Sequence, residues 1–171
     1  VVAQTATQLQ EKLSGKQEYY GEHSAELYEV IDSILLPSFD VKHAGKLVLG
    51  KEHWLAASEE QRLRFIDAFY GFLVKTYANG ILDFDQGRLT ILEAPKYSKN
   101  RSKALVGTQL TMANGDNVEI NYVLRDAEGS WKIYDVRIDG VSYVQNYRNQ
   151  FDAEISARGL DAVKERLETE A

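Results

Sequence analysis

The sequence predicts an α+β fold: a twisted antiparallel sheet of about four to five strands, several helices packed on one face, and an apolar cavity enclosed between them. Three observations carry this. Apolar residues recur at helical spacing through the first half of the chain and again at its end. Period two takes over between Leu89 and Ile138. The helix expected over Glu59–Ala78 is apolar around most of its circumference, so it must be covered on several sides or line an internal space.

Each element follows from local chemistry. Leu9 and Leu13, four apart and followed by Gly15, predict a short first helix. The polar stretch Lys16–His23 reads as loop. Leu27, Val30, Ile31 and Ile34 form one stripe after Ser24, and Pro37 ends that helix because its ring excludes continuation. Asp40 is placed to cap a helix that stops at Gly50 and buries Val41, Leu47 and Val48. Ser58 and Gln61 make a capping box for Glu59–Ala78, with Asn79-Gly80 as its stop.

Leu89 and Ile91, or else Thr90 and Leu92, define a first strand, followed by a basic loop over Lys96–Lys103. Val106, Leu110 and Met112 alternate on a second strand, and Asn114-Gly115 marks a hairpin. Val118, Ile120, Tyr122 and Leu124 give the cleanest alternation, and Asp126–Gly129 turns into a strand with Tyr134, Val136 and Ile138 inward. Ser142 and Gln145 then form a second capping box. The helix it opens turns Val144, Tyr147, Phe151 and Ile155 inward and stops at Gly159; Leu160, Val163 and Leu167 carry a last short helix. All of this fits a single domain over residues 1–171.

Composition excludes several functions. A net charge of −6 argues against nucleic acid as a partner and against standing attachment to an anionic membrane, leaving transient membrane proximity only. There are no cysteines, so disulfides and thiolate metal sites are excluded. No run approaches the ~18 apolar residues of a membrane span. The opening VVAQTATQLQ has neither a basic nor an apolar leader region, and fits equally a mature end after signal cleavage or a cytosolic start.

No catalytic or metal constellation emerges. His23, His43 and His53 share no ligand spacing. Asp83, Asp85 and Gly87 fail the calcium-loop register. Lys96, Lys99, Arg101 and Lys103 form a basic stretch, read as a solvated connector in preference to an anion-binding or docking patch. The aromatic interior is more informative. Phe65, Phe69, Phe72, Tyr77, Tyr122, Tyr134, Tyr147 and Phe151 are expected to converge on one side of the sheet. Buried phenols need hydrogen-bond partners, so inward tyrosines suit a cavity wall with a wet mouth better than a dry core.

Three stretches carry a family resemblance: LLPSFD at Leu35–Asp40, the run from LVLG at Leu47 through QRLRFIDAFYGFLVKTYA ending at Ala78, and YDVRIDGVSYVQNYRNQF at Tyr134–Phe151. In order and spacing the chain resembles the MlaC, or toluene-tolerance, family from about Leu9 to Leu167. Ser38 stands where relatives often carry His, and Tyr143 where many carry an aliphatic residue. The resemblance implies a periplasmic phospholipid carrier, exported with a signal peptide outside this chain. It implies no cofactor beyond the bound phospholipid as cargo. As partners it implies an outer-membrane lipoprotein–porin complex and an inner-membrane transporter bearing a lipid-binding ring.

On that fold, periodicity assigns the lipid wall to Phe65, Phe69, Phe72, Leu73, Val106, Leu110, Ile120, Tyr122, Tyr134, Val136, Tyr147 and Phe151, with Tyr147 and Arg148 reaching the mouth. Two alternatives stand beside it. One is a cone-shaped α+β hydrolase or isomerase using Asp40 and Tyr134 in an apolar pocket. The other is an adaptor domain whose aromatic interior is fully packed.

Overall fold

Side-chain oxygens open the helices that the sequence marks most clearly. In the computed structural model, which describes residues 2–13, 15–83, 88–92, 95–111 and 115–170, Asp40 accepts from the His43 amide at 3.0 Å and starts α4 (Val41–Leu49). Ser58 and Gln61 exchange bonds of 2.9 and 3.1 Å, forming the full capping box of α6 (Glu59–Asp83). The second box forms only in half. Ser142 accepts from the Gln145 amide, but the Gln145 side chain turns to Asn149. Asp135, buried on the neighbouring strand, takes over by accepting from the Val144 amide at 3.0 Å and the Ser142 hydroxyl at 2.6 Å. It thereby pins the start of α7 (Tyr143–Arg158) to the sheet.

Five more helices are described. Three are as expected: α1 (Val2–Leu13), α3 (Ser24–Leu35) and α8 (Leu160–Glu170). Where a loop was expected, α2 (Gln17–Glu22) forms instead. Tyr20 explains it, since its ring is buried with Leu27 and Ile31 of α3 in one hydrophobic cluster. An unexpected α5 (Lys51–Ala56) is likewise anchored by one ring, Trp54. On α4 the fully buried positions are Val48 and Leu49, with Leu47 only half-buried. The long helix α6 runs through Asn79-Gly80 to Asp83 instead of stopping there. Gly45 permits a close crossing of α4 over α6, because a Cβ there would lie 2.8 Å from Ile66 Cγ1.

Among the described residues the sheet has six strands: β1 (Arg88–Ile91), β2 (Lys96–Tyr97), β3 (Lys103–Thr111), β4 (Asn117–Ala127), β5 (Ser130–Ile138) and β6 (Val141–Ser142). Their order is β1-β3-β4-β5-β6, with β2 also pairing β3, and every pair is antiparallel. The β2 strand lies within the segment expected to be a basic loop. Met112, Asn114, Asp85 and Gly87, named above for a strand, a turn and a calcium loop, lie outside the described residues.

A bulge changes the phase of β5. Leu124 pairs with Ile133, whereas Val123 pairs with Asp135, leaving Tyr134 as the extra residue. The inward rows are therefore Ala104–Leu124–Ile133, Val106–Tyr122–Val136 and Thr108–Ile120–Ile138. The expectation that Tyr134 shares a face with Val136 and Ile138 is corrected: Ile133 takes that place, and Tyr134 instead packs edge-on against His43 of α4 at 4.9 Å.

Hydrophobic packing separates into three clusters. One joins α4 to α8 around Phe65, Phe69 and Phe151. A second joins α1, α2 and α3 to the other half of α6 through Val74 and Ala78. This explains why α6 is apolar on so many sides: successive turns serve different clusters. The third belongs to the sheet and, among the described residues, takes only Val2 and Phe39 from outside it.

Candidate functional site

The thin cover over the sheet leaves a hollow. An apolar cavity of ≈ 170 Å³ lies between the sheet and the chain that crosses it. Strand residues Leu89, Tyr122 and Ile133 form its floor, Val2, Thr5, Ala6 and Leu9 of α1 form one wall, and Leu35 and Phe39 close the end. Among the described residues, no charged side chain lines it.

Local sequence dictates each wall. Val2, Thr5, Leu9 and Leu13 fall on one stripe of α1 at spacings of three and four, so a single helical face spans from sheet to helices. Pro37 ends the preceding helix, and the chain then extends so that Ser38 and Asp40 bond on either side of Ile133, each at 2.8 Å. That short parallel bridge seats Phe39 beside the sheet. Thr5 donates its hydroxyl to Ser38 at 2.9 Å, tying α1 to the same turn.

The polar atoms near the hollow are few. Tyr122 lines it, with a phenol pKa raised by burial and no hydrogen bond to the described residues. Thr108 is fully buried in the next row and donates to the Ile120 carbonyl at 2.7 Å. On the helical side, Tyr77 and Tyr147 share a hydrogen bond of 2.6 Å, with the Tyr143 ring 5.8 Å from that of Tyr77. Burial and the Tyr147 hydroxyl raise the Tyr77 pKa above the ordinary phenol range. Tyr70 likewise donates to Asp32 at 2.7 Å.

Among the described residues, no group of three or more acidic or histidine side chains is placed to hold a metal ion. His53 meets Asp152 at 2.7 Å, and His43 sits where burial and the nearby Arg125 charge lower its pKa. Asp40 has both carboxylate oxygens engaged, one by the α4 cap and the other by Arg125 at 2.9 Å.

Comparison with known proteins decides the family, because residues 3–169 match the MlaC protein family. This chain belongs to the MlaC family. It is 27% identical over 164 residues to the toluene tolerance protein Ttg2D of Pseudomonas putida, covering 96% of this chain and 75% of that one. It is 24% identical over 148 residues to the intermembrane phospholipid transport system binding protein MlaC of Haemophilus influenzae, covering 85% and 68%. A solved phospholipid-binding protein of Ralstonia solanacearum, in complex with a phospholipid, has the same fold: the TM-score is 0.88 at 22% identity, over 99% of this chain and 93% of that one.

On this MlaC-family fold, the twelve residues assigned from the sequence divide into groups. Phe65, Phe69 and Phe151 are enclosed by one another's rings in the first helical cluster, and Phe72, Leu73 and Tyr147 are half-buried against it. Val106, Tyr122 and Val136 stand side by side in one sheet row, with Ile120 in the next and Leu110 paired with Leu89. Tyr134 stands apart at the bulge. The aromatic residues thus do not converge as one set; of the twelve, only Tyr122 lines the described cavity.

The cavity residues missed by the sequence reading come from α1, from Leu35 and Phe39, and from Leu89 and Ile133. The signal for α1 was its one-faced stripe, and for Leu89 its alternation; Ile133 was hidden by the bulge. Arg148 lies over Gly50, its Nε 3.5 Å from where a Cβ would stand, on the α4–α5 side.

Proposed function

We propose that this chain is a periplasmic carrier that binds a phospholipid and moves it between the outer and inner membranes. The observation that carries this reading is the uncharged apolar cavity on the sheet face of an MlaC-family fold. The names of its relatives, a phospholipid transport binding protein and a toluene tolerance protein, support it, as does the phospholipid held by the Ralstonia protein of the same fold.

The energetics favour a carrier. Burying a methylene is worth ~0.8 kcal/mol, so two acyl tails of about 30 methylenes gain roughly 20–25 kcal/mol over water. Unaided passage through an aqueous compartment is negligible on that scale. A protein that encloses the tails needs apolar walls more than it needs polar contacts.

The hollow of ≈ 170 Å³ is smaller than the ~300–1,000 Å³ of drug-sized pockets. Loading therefore widens it. The cover to be moved is slight, Val2 and Phe39 in the sheet cluster. In the loaded protein we assign the sheet wall to Val106, Leu110, Ile120, Tyr122 and Val136, with Leu89 and Ile133. Half-buried Phe72, Leu73 and Tyr147 form the helical wall, and enclosed Phe65, Phe69 and Phe151 lie behind it as its support. Tyr134, outside both walls, is assigned to the α4 joint.

The partners of this reading are an outer-membrane lipoprotein–porin complex as donor or acceptor and an inner-membrane transporter ring at the other end. The enzyme reading has little to work with, since Asp40 is engaged at both oxygens and Tyr134 packs on His43.

Gentle purification followed by native mass spectrometry tests the proposal. Phospholipid mass on the folded protein is the expected result. Protein that is always empty, and stays so after incubation with phospholipid vesicles, overturns it.

A further inference from the structure

The basic stretch is a built surface. Asn100 locks its turn by accepting from the Ser98 hydroxyl and from both the amide and the hydroxyl of Ser102. The Ser98 hydroxyl oxygen accepts the Lys103 amide at 3.0 Å. Arg101, at φ 56°, lays its guanidinium over the Tyr97 ring at 4.2 Å, and Tyr97 meets Trp131 at 5.7 Å. Lys103, Arg125 and Lys132 stand directly opposite one another across β3, β4 and β5, an arrangement that costs stability in a sheet.

Arg125 is neutralised by Asp40. Among the described residues, no carboxylate lies within ion-pair distance of Lys99, Arg101, Lys103 or Lys132. Asp126 and Glu128 belong to the adjoining β4–β5 hairpin, where Asp126 accepts the Gly129 amide. In a chain of net charge −6, this end of the sheet collects cations.

Apolar side chains accompany them. Along the sheet edge formed by β1 and β2, both paired with β3, lie Ile91, Leu92 and Tyr97, each between 44% and 51% exposed. Tyr97 also begins the cross-strand row Tyr97–Ala104–Leu124–Ile133, whose last member floors the cavity. One inward row therefore connects this edge to the interior.

We propose that the β2–β3 turn and the adjoining strand edge dock on the anionic surface of a bilayer. Phosphates pair with Lys99, Arg101, Lys103 and Lys132, while Tyr97 and its aliphatic neighbours enter the headgroup region, where amphipathic rings are favoured. An acidic protein surface would match the cations alone and leave the apolar edge without a partner. A bilayer matches both. The contact is brief, because the rest of the acidic molecule is repelled by the same surface. The proposal takes its purpose from the carrier reading, but its test does not, since surface docking requires no lipid in the cavity.

The test is flotation of the full chain with phosphatidylcholine vesicles, with and without phosphatidylglycerol, over a range of salt. Bound phospholipid is measured in parallel by extraction. The expected result is association only with the anionic vesicles, lost as rising salt screens the cations. The variant Lys99→Glu/Arg101→Glu/Lys103→Glu is expected to associate at least about tenfold more weakly, with unchanged lipid content. Tyr97→Ala is expected to weaken association less and without altering its salt dependence. Three results would each overturn the proposal: no association at low salt, equal association with neutral vesicles, or charge reversal that abolishes capture by an acidic protein partner while vesicle binding never occurs.

Discussion

The helical layer and the sheet face of this protein use similar residues for opposite ends. Around α6, aromatic rings meet one another: Phe65, Phe69 and Phe151 are 0%, 3% and 2% exposed, with ring centroids 5.7 to 5.9 Å apart. On the sheet, Tyr122, Val136, Leu110 and Ile138 face inward and remain half-buried because little is pressed against them. Greasy sequence alone therefore does not mark a binding site. What marks it is apolar surface that the protein's own atoms leave incompletely covered.

That contrast can be broken by mutation. Phe151→Ala or Phe65→Ala should cost about 3–5 kcal/mol, since each opens a cavity inside interlocked rings; urea unfolding measures it. Val136→Ala on the sheet should cost less than about 1.5 kcal/mol. Equal losses at the two sites would erase the distinction.

Gly45→Ala sharpens it from the packing side. The added Cβ would meet Ile66 at 2.8 Å, so α4 must move off α6 at a cost of about 1–3 kcal/mol, read from the shift in urea midpoint. A comparable sequence of losses is expected where the two regions join. Asp40→Ala should lose about 1–2 kcal/mol through the missing cap, and Asp40→Asn should recover most of it. The Arg125 pair, with a partly exposed guanidinium, contributes the smaller share.

Tyrosine ionisation separates the regions by pH. Folding raises the pKa of Tyr70, Tyr77 and Tyr122, mainly through burial. The folded protein therefore holds protons that the unfolded chain releases, so this stabilisation is complete below the ordinary phenol pKa of about 10 and declines above it. Tyr77→Phe should flatten that alkaline decline in urea titrations. Tyr122→Phe should do so more strongly in lipid-loaded than in stripped protein, because acyl tails against the ring bury the phenol further.

The smallest change in stability should accompany the largest change in binding. Val136→Trp fills space beside Tyr122 and should shift the urea midpoint little, yet abolish phospholipid occupancy by native mass spectrometry. Retained occupancy would remove the sheet row from the site.

Much of this architecture was legible because its signals are local. Asp40, Ser58, Pro37 and Gly159 act within a turn of their own positions, and the alternation of Val118 to Leu124 marks the inward face of its strand, although Val123 on the other face is buried too. The errors arose where tertiary partners decide. Tyr20 and Trp54 hold short helices that have no periodicity to display. The bulge at Tyr134 shifts a strand's phase because Asp135 must reach the start of α7. The division of the aromatic residues was illegible for the same reason: periodicity says that Phe151 and Tyr122 both face inward, but not that they face different interiors. For α1, the stripe was visible, whereas the space beneath it depends on how loosely Val2 and Phe39 cover the sheet.

The central claim is that lipid tails lie against the sheet, under α1, and outside the ring cluster of α6. The most direct measurement is photo-crosslinking with a phospholipid carrying a diazirine at its chain end, followed by peptide mapping. The account predicts labels on Leu89, Tyr122, Ile133, Val136 and the inner face of α1, with fewer on the helical wall at Phe72, Leu73 and Tyr147 and none on enclosed Phe65, Phe69 and Phe151. Labels concentrated on the outer helical surface around Leu55 and Leu63, with the sheet unmarked, would contradict it.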